Sequence, residues 1–141
     1  MHYKKLEARF AKVNDLNHAL SMLSWDDAAV MPTGGGVARA EALATLNGLI
    51  HTELSAPEIP DLIDAAADEP LDAWQSANVL EMKRSCEDAM ALPADLVTTY
   101  SKATSLCEQR WRQLRAANDF KGILPLSVSY THLTLPTILL V

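Results

Sequence analysis

Leu6, Phe10, Val13, Leu16, Leu20 and Leu23 follow one another at intervals of three and four residues, and no other feature restricts the fold of this chain as much. At 3.6 residues per turn that spacing lines one face of a helix, whereas a strand would scatter the same residues over both faces. It predicts one long amphipathic helix from Tyr3 to about Val30, whose stripe must be buried against other elements. Pro32 disfavours helix at Met31, and Gly34-Gly35-Gly36 leaves the backbone unrestrained, so a loop follows.

The same reading continues downstream. Leu43, Leu46, Ile50 and Leu54 predict a second helix from about Val37 to Leu54. Ser55 and Glu58 have capping-box spacing around Pro57, a start signal for a short third helix. Pro60 shifts that start toward Ile59, and Asp61 to Asp68 reads as helical. Val79, Met82, Cys86 and Ala89 predict a fourth helix from Asp72 to Ala91, interrupted by Leu92-Pro93. Leu96, Tyr100, Ala103, Cys107, Trp111 and Leu114 predict a fifth from about Ala94 to Ala117, stopped at Asn118-Asp119. The expectation is an all-α chain, a bundle or set of hairpins of about five helices.

Texture changes after Lys121, beyond which no Asp, Glu, Lys or Arg occurs through Val141. In SVSYTHLTLPTILLV, Ser127 to Val141, β-branched residues are frequent, Val128 and Tyr130 alternate with Ser and Thr, and Pro136 interrupts. That pattern favours extended or disordered structure. The chain therefore divides into a helical region, 1–126, and a tail, 127–141, which resembles translated adapter or vector sequence.

A net charge of −6 and a pI near 5.1 argue against nucleic acid as a partner, which would require clustered Lys and Arg. They also argue against a polybasic membrane patch, and no run is long and apolar enough to span a bilayer. Lys4, Lys5, Glu7 and Arg9 give the N-terminus the wrong character for a secretory signal. Cys86 and Cys107 lack C-x-x-C spacing. A cytoplasmic setting is expected.

Chemistry is sparse. Zinc hydrolysis needs converging imidazoles, usually His at i and i+4 with a carboxylate beside them, yet no two of His2, His18, His51 and His132 are neighbours in sequence. His18 and His51 read as surface or half-buried helix residues. Cys86 and Cys107 fall on apolar stripes, where cysteine acts as a small hydrophobe. The Gly34-Gly35-Gly36 run lacks both a preceding strand and a G-K-[ST] ending, so a connecting loop outweighs a phosphate cradle. Asp26, Asp27 and Glu41 could form an acid–base group if folded together, but carboxylates at a helix end more often stay solvated or cap the next element. Trp25, Trp74 and Trp111 read as core rather than as an aromatic platform. No catalytic, cofactor-binding or metal residue is assigned.

Two segments carry a further signal. SWDDAAVMPTGGGVARAEALATL, Ser24 to Leu46, resembles the Trp-Asp…Met-Pro…Gly-Gly…Arg pattern of the carboxypeptidase Taq family. LPADLVTTYSKATSLCEQRWRQLRAANDF, Leu92 to Phe120, is similar to that family's Leu-Pro…Ser-Lys-Ala-Thr…Trp…Ala…Asn-Asp-Phe stretch, in the same order and separation. The likeness runs from about Tyr3 to Leu126. It implies the N-terminal part of a larger, almost entirely helical metallopeptidase that removes C-terminal amino acids from peptides, using zinc or another divalent metal. The family's H-E-x-x-H helix and further glutamate lie downstream, and none of its ligand or catalytic positions maps onto a residue here. The resemblance thus implies a peptide substrate and a metal for the whole protein and neither for this chain. A free-standing helical interaction module is the alternative. As part of that larger protein the chain would leave apolar helix faces uncovered, which favours a homo-oligomer, a dimer being the simplest closed form.

Overall fold

The computed structural model describes the backbone of residues 1–138 and the side chains of residues 1–134. Six helices follow in order: α1 His2–Ala29, α2 Gly36–Leu54, α3 Ile59–Ala67, α4 Ala73–Met90, α5 Ala94–Ala116 and α6 Phe120–Ile138. No strand occurs among the described residues, so the chain is all-α. The predicted stripe of α1 faces inward throughout: Leu6 and Val13 are buried, and Phe10, Leu16, Leu20 and Leu23 are half-buried.

The main core lies where α1, α3 and α4 meet. Tyr3 and Leu6 from α1 pack with Ile59, Ile63 and Ala66 from α3 and with Val79 and Cys86 from α4. Leu6, Ile59 and Cys86 lose all contact with solvent. Burial of such an aliphatic side chain is worth about 1.5–3 kcal/mol, so a short third helix is held mainly by its apolar face. α2 packs against α1 on one side and α5 on the other, and α5 in turn carries α6.

Polar groups fix the helix ends. The Asp72 carboxylate accepts from the Gln75 backbone N–H at 2.8 Å, and the Gln75 side chain accepts from the Asp72 backbone N–H at 3.1 Å, a complete capping box. Asp72→Ala is expected to cost about 1 kcal/mol in urea unfolding. At the start of α1, Glu69 receives the backbone N–H groups of His2 and Tyr3 and the terminal ammonium of Met1.

These contacts predict acid sensitivity. The His2 N–H, followed by the ammonium and the Tyr3 N–H, holds the Glu69 carboxyl below its ordinary value of 4.5. Glu58 is held down by its own backbone N–H and by the Arg9 guanidinium. A carboxylate depressed in the folded state stabilises it above the unfolded value, and that contribution disappears as pH falls through the folded value. The melting temperature should therefore decline as pH drops below about 4.5, and Glu69→Gln should flatten the decline.

The segment after Lys121 departs from expectation. Residues 127–138 are helical, not extended or disordered, and 139–141 lie outside the described residues. Local chemistry accounts for it. Asn118, at φ 53°, occupies the left-handed position that closes α5; the Asp119 N–H reaches Leu114 O at 3.0 Å and the Asn118 N–H reaches Arg115 O at 3.1 Å. Asp119 then caps α6 by accepting from the Gly122 N–H at 2.9 Å. Thr131 Oγ1 donates to Ser127 O at 2.7 Å, turning a β-favouring hydroxyl back onto the helix. Ile123 is buried against Cys107 and Leu114, and Tyr130 packs beside them with its ring 6.2 Å from that of Tyr100. Packing on α5 has overridden strand propensity.

Candidate functional site

A polar cluster joins the end of α1, the glycine loop and the middle of α5. The α1 stripe steps from Leu20 and Leu23 to Asp27, which is consequently buried, only 6% exposed. α5 approaches with a second, polar face carrying Ser105, Gln109 and Arg112. Gln109 Nε2 donates to Gly36 O at 3.1 Å and Ser105 Oγ at 3.2 Å, with a longer contact of 3.4 Å to Asp27 Oδ1. Arg112 donates to Asp27 O at 2.8 Å, placing a cation on the carbonyl end of α1, where the helix dipole favours it. Its other nitrogen pairs with Glu108 at 2.5 Å. A Cβ at Gly36 would overlap the Gln109 carboxamide, so a larger residue there must turn the end of that side chain away from its partners.

The three candidate carboxylates do not converge. Asp26 pairs with Arg39. Asp27 faces Gln109 and Arg112. Glu41 lies on an exposed surface of α2 and pairs with Lys102 at 2.7 Å. Each has a separate partner, and no proton can pass between them through a shared hydrogen bond. The arrangement joins helices rather than forming an acid–base pair.

His51 is more buried than its sequence position implies, at 9% exposed. Its Nε2 lies 3.0 Å from Ala89 O and 2.8 Å from Leu92 O, both acceptors only, so that nitrogen carries the proton and donates. The ring closes the carbonyl end of α4 instead of facing a ligand. His18 is exposed on α1, His132 is exposed on α6, and His2 lies beside Glu69. No group of three or more His, Cys, Asp or Glu side chains among the described residues is arranged to hold a metal ion.

Both cysteines are free and buried. Burial pushes the thiols of Cys86 and Cys107 above their ordinary value, which removes the thiolate that nucleophilic attack requires. In the native protein, reaction with a disulfide reagent should be at least about tenfold slower than in denaturant; equal rates would contradict this burial.

The tryptophans overturn the core reading. Trp25 is 60% exposed, Trp74 77% and Trp111 44%. Trp25 lies two residues from Leu23, off the α1 stripe, and Trp74 precedes Gln75, off the α4 stripe. Trp111 does lie on the α5 stripe, but α6 covers only part of that face.

Comparison with known proteins bears on most of the chain. The model of a family described as carboxypeptidase Taq (M32) metallopeptidase matches residues 5–133, continuing past Leu126 into the charge-free segment. Thermostable carboxypeptidase 1 of Pyrococcus furiosus is 31% identical over 123 residues, which cover 86% of this chain and 25% of the relative. Thermostable carboxypeptidase 1 of Thermus thermophilus is 30% identical over 109 residues, covering 74% and 21%. Among solved structures, Trypanosoma cruzi metallocarboxypeptidase 1 superimposes with a TM-score of 0.70 at 36% identity, over 89% of this chain and 25% of that one. The carboxypeptidase of Pyrococcus furiosus gives 0.68 at 30% identity, over 89% and 26%. The chain thus spans about a quarter of the length of the relatives it matches.

Proposed function

Because the chain belongs to the carboxypeptidase Taq (M32) metallopeptidase family, we propose that it forms the N-terminal helical region of a metal-dependent carboxypeptidase acting on the C-termini of peptides. The observation that carries this reading is the superposition on a metallocarboxypeptidase over 89% of the chain. The role we assign to the region is structural: it helps to wall the substrate groove, its corner tied by Gln109 and Arg112.

On its own the region is catalytically inactive in this reading. Its residues do not fit the divalent metal that the family implies, because its histidines are scattered and His51 is engaged with two carbonyls. No reaction step is assigned to them. Residues 127–141 are read as a separate, charge-free appendage, although helical through 138. We place the protein in the cytoplasm on the strength of its two unpaired buried thiols. No helix among the described residues is long and apolar enough to cross a membrane. We also read the chain as self-associating, since Trp25, Val37, Trp74, Leu80 and Phe120 all remain more than half exposed.

A chimera tests the functional reading. Residues 5–133 would replace the matching part of the Pyrococcus furiosus carboxypeptidase, with release of a C-terminal amino acid from a blocked dipeptide as the readout. The chimera should fold and hydrolyse the dipeptide. A folded chimera that binds metal but shows no turnover would contradict the assigned role.

A further inference from the structure

Among the described residues no cation pairs with the buried Asp27 carboxylate. It stands in the last turn of α1, where the helix dipole disfavours a negative charge. Oδ1 receives only the long 3.4 Å contact from the neutral Gln109 carboxamide, and no donor of the described residues reaches Oδ2. Arg112 directs its terminal nitrogens to the Asp27 carbonyl and to Glu108, and Arg39 pairs with Asp26. A buried charge is ordinarily paired, because leaving water without a partner is costly. The carboxylate borders a cavity of about 240 Å³ between α1, α2 and α5. Exposed Ser24, Ala28 and Glu108 form its mouth, and buried Asp27, Leu43 and Ser105 its floor.

The remaining lining selects the occupant. Asn47 Nδ2 donates to Leu43 O and to Ser101 Oγ, both at 3.0 Å, which leaves the Asn47 carbonyl oxygen to accept. The hydroxyls of Ser101 and Ser105 accept one hydrogen bond each, from Asn47 and Gln109, and keep a second lone pair. Acceptors thus converge from three helices. Asp27, Glu108 and Arg112 together leave one formal negative charge over, which a single cation balances. The three N–H donors of an ammonium group diverge toward such a set, whereas a planar guanidinium fork suits a carboxylate with both oxygens open. Leu20 and Leu43 supply an apolar wall for an alkyl stem. Sites for drug-sized molecules occupy roughly 300–1,000 Å³, so this cavity fits a smaller ligand.

We propose that the cavity between α1, α2 and α5 binds a primary ammonium group on a short alkyl stem, held by Asp27, Asn47 and the hydroxyls of Ser101 and Ser105. A free alkylamine and the side chain of a protein lysine present the same group, and the probes separate the two sources. The inference does not rest on the peptidase reading. The isotope-labelled full chain would be titrated with n-butylammonium at neutral pH and constant ionic strength, following backbone amide resonances. Shifts at Asp27, Asn47 and Ser105 should saturate with a dissociation constant of about 1–10 mM, in keeping with so small a ligand. The uncharged n-pentanol, of similar length, should bind at least about tenfold more weakly. Asp27→Asn keeps an acceptor for Gln109 and should weaken binding about tenfold or more with an unchanged far-UV spectrum. Ser24→Phe, an exposed change at the mouth, should block entry, and it decides the matter should Asp27→Asn fail to fold. Glu41→Gln, at an exposed carboxylate outside the cavity, should bind like the wild type. If Nα-acetyl-lysine methylamide binds as well as n-butylammonium, the site takes a lysine side chain; if n-butylammonium alone binds, it takes a free amine. Shifts that never saturate, equal binding of n-pentanol, or unchanged binding to Ser24→Phe or a folded Asp27→Asn would overturn the proposal. A loss on Glu41→Gln as large as on Asp27→Asn would also overturn it, as the mark of unspecific charge attraction.

Discussion

Ile59→Ala should remove about 3–4 kcal/mol of stability, as should Leu6→Ala, whereas Leu80→Ala should change it by less than about 0.5 kcal/mol. Ile59 and Leu6 have no solvent exposure and belong to one cluster, while Leu80 is 68% exposed. The loss combines the transfer free energy of the deleted methyl groups with the cavity that remains. The site cannot collapse easily, because Ile59 occupies the first position of α3, directly before Pro60, and Leu6 meets it from a separate helix. Since α3 has only nine residues, it has little stability apart from this contact. Urea midpoints for the three variants decide the matter: a cost below about 1 kcal/mol at Ile59 would show that α3 does not form part of the core.

A comparable loss is expected from a position with no side chain. Gly36→Val should cost about 2 kcal/mol, although a single added Cβ at a helix start is ordinarily neutral or favourable. The new group would displace the Gln109 carboxamide, which bonds Gly36 O and Ser105 Oγ and faces the buried Asp27. A buried polar group left without its donor costs about 1–3 kcal/mol. Displacement also makes a sharper claim testable: once Gln109→Ala has removed the obstacle, Gly36→Val should add little. The double variant should cost about as much as either single change, and not their sum. Additivity would mean that Gly36 and Gln109 act independently, against the geometry.

Five of the six helices were legible because their evidence is local. Apolar positions three and four apart, together with Pro32, the Leu92-Pro93 pair and Asn118-Asp119, set their limits to within a few residues. α6 was not legible in the same way, since its Ser, Thr and Val content favours strand and its helicity depends on Ile123 and Tyr130 packing on α5. Asp119, which caps α6, was the available signal, but it reads equally well as the end of the preceding helix. Burial showed the same division. Continuing the α1 stripe by four from Leu23 leads to Asp27, so its burial could be derived, whereas a general rule that tryptophan belongs in cores failed at Trp25 and Trp74. The polar cluster was the least visible feature. Gln109 and Asp27 are 82 residues apart, and only the packing of α5 against α1 and α2 brings them together. The family was legible from its two motifs, and the match over residues 5–133 shows it.

We propose that this chain carries the helical framework of a metallopeptidase and holds no metal ion of its own. Metal retention tests it most directly. The chain would be incubated with excess zinc, desalted in chelator-free buffer and analysed for metal per mole of protein, while histidine ring resonances are followed. Less than roughly one-tenth of an equivalent should be retained, with no movement of the His51 resonances. One full equivalent surviving desalting, with shifts at His51 or His18, would contradict it.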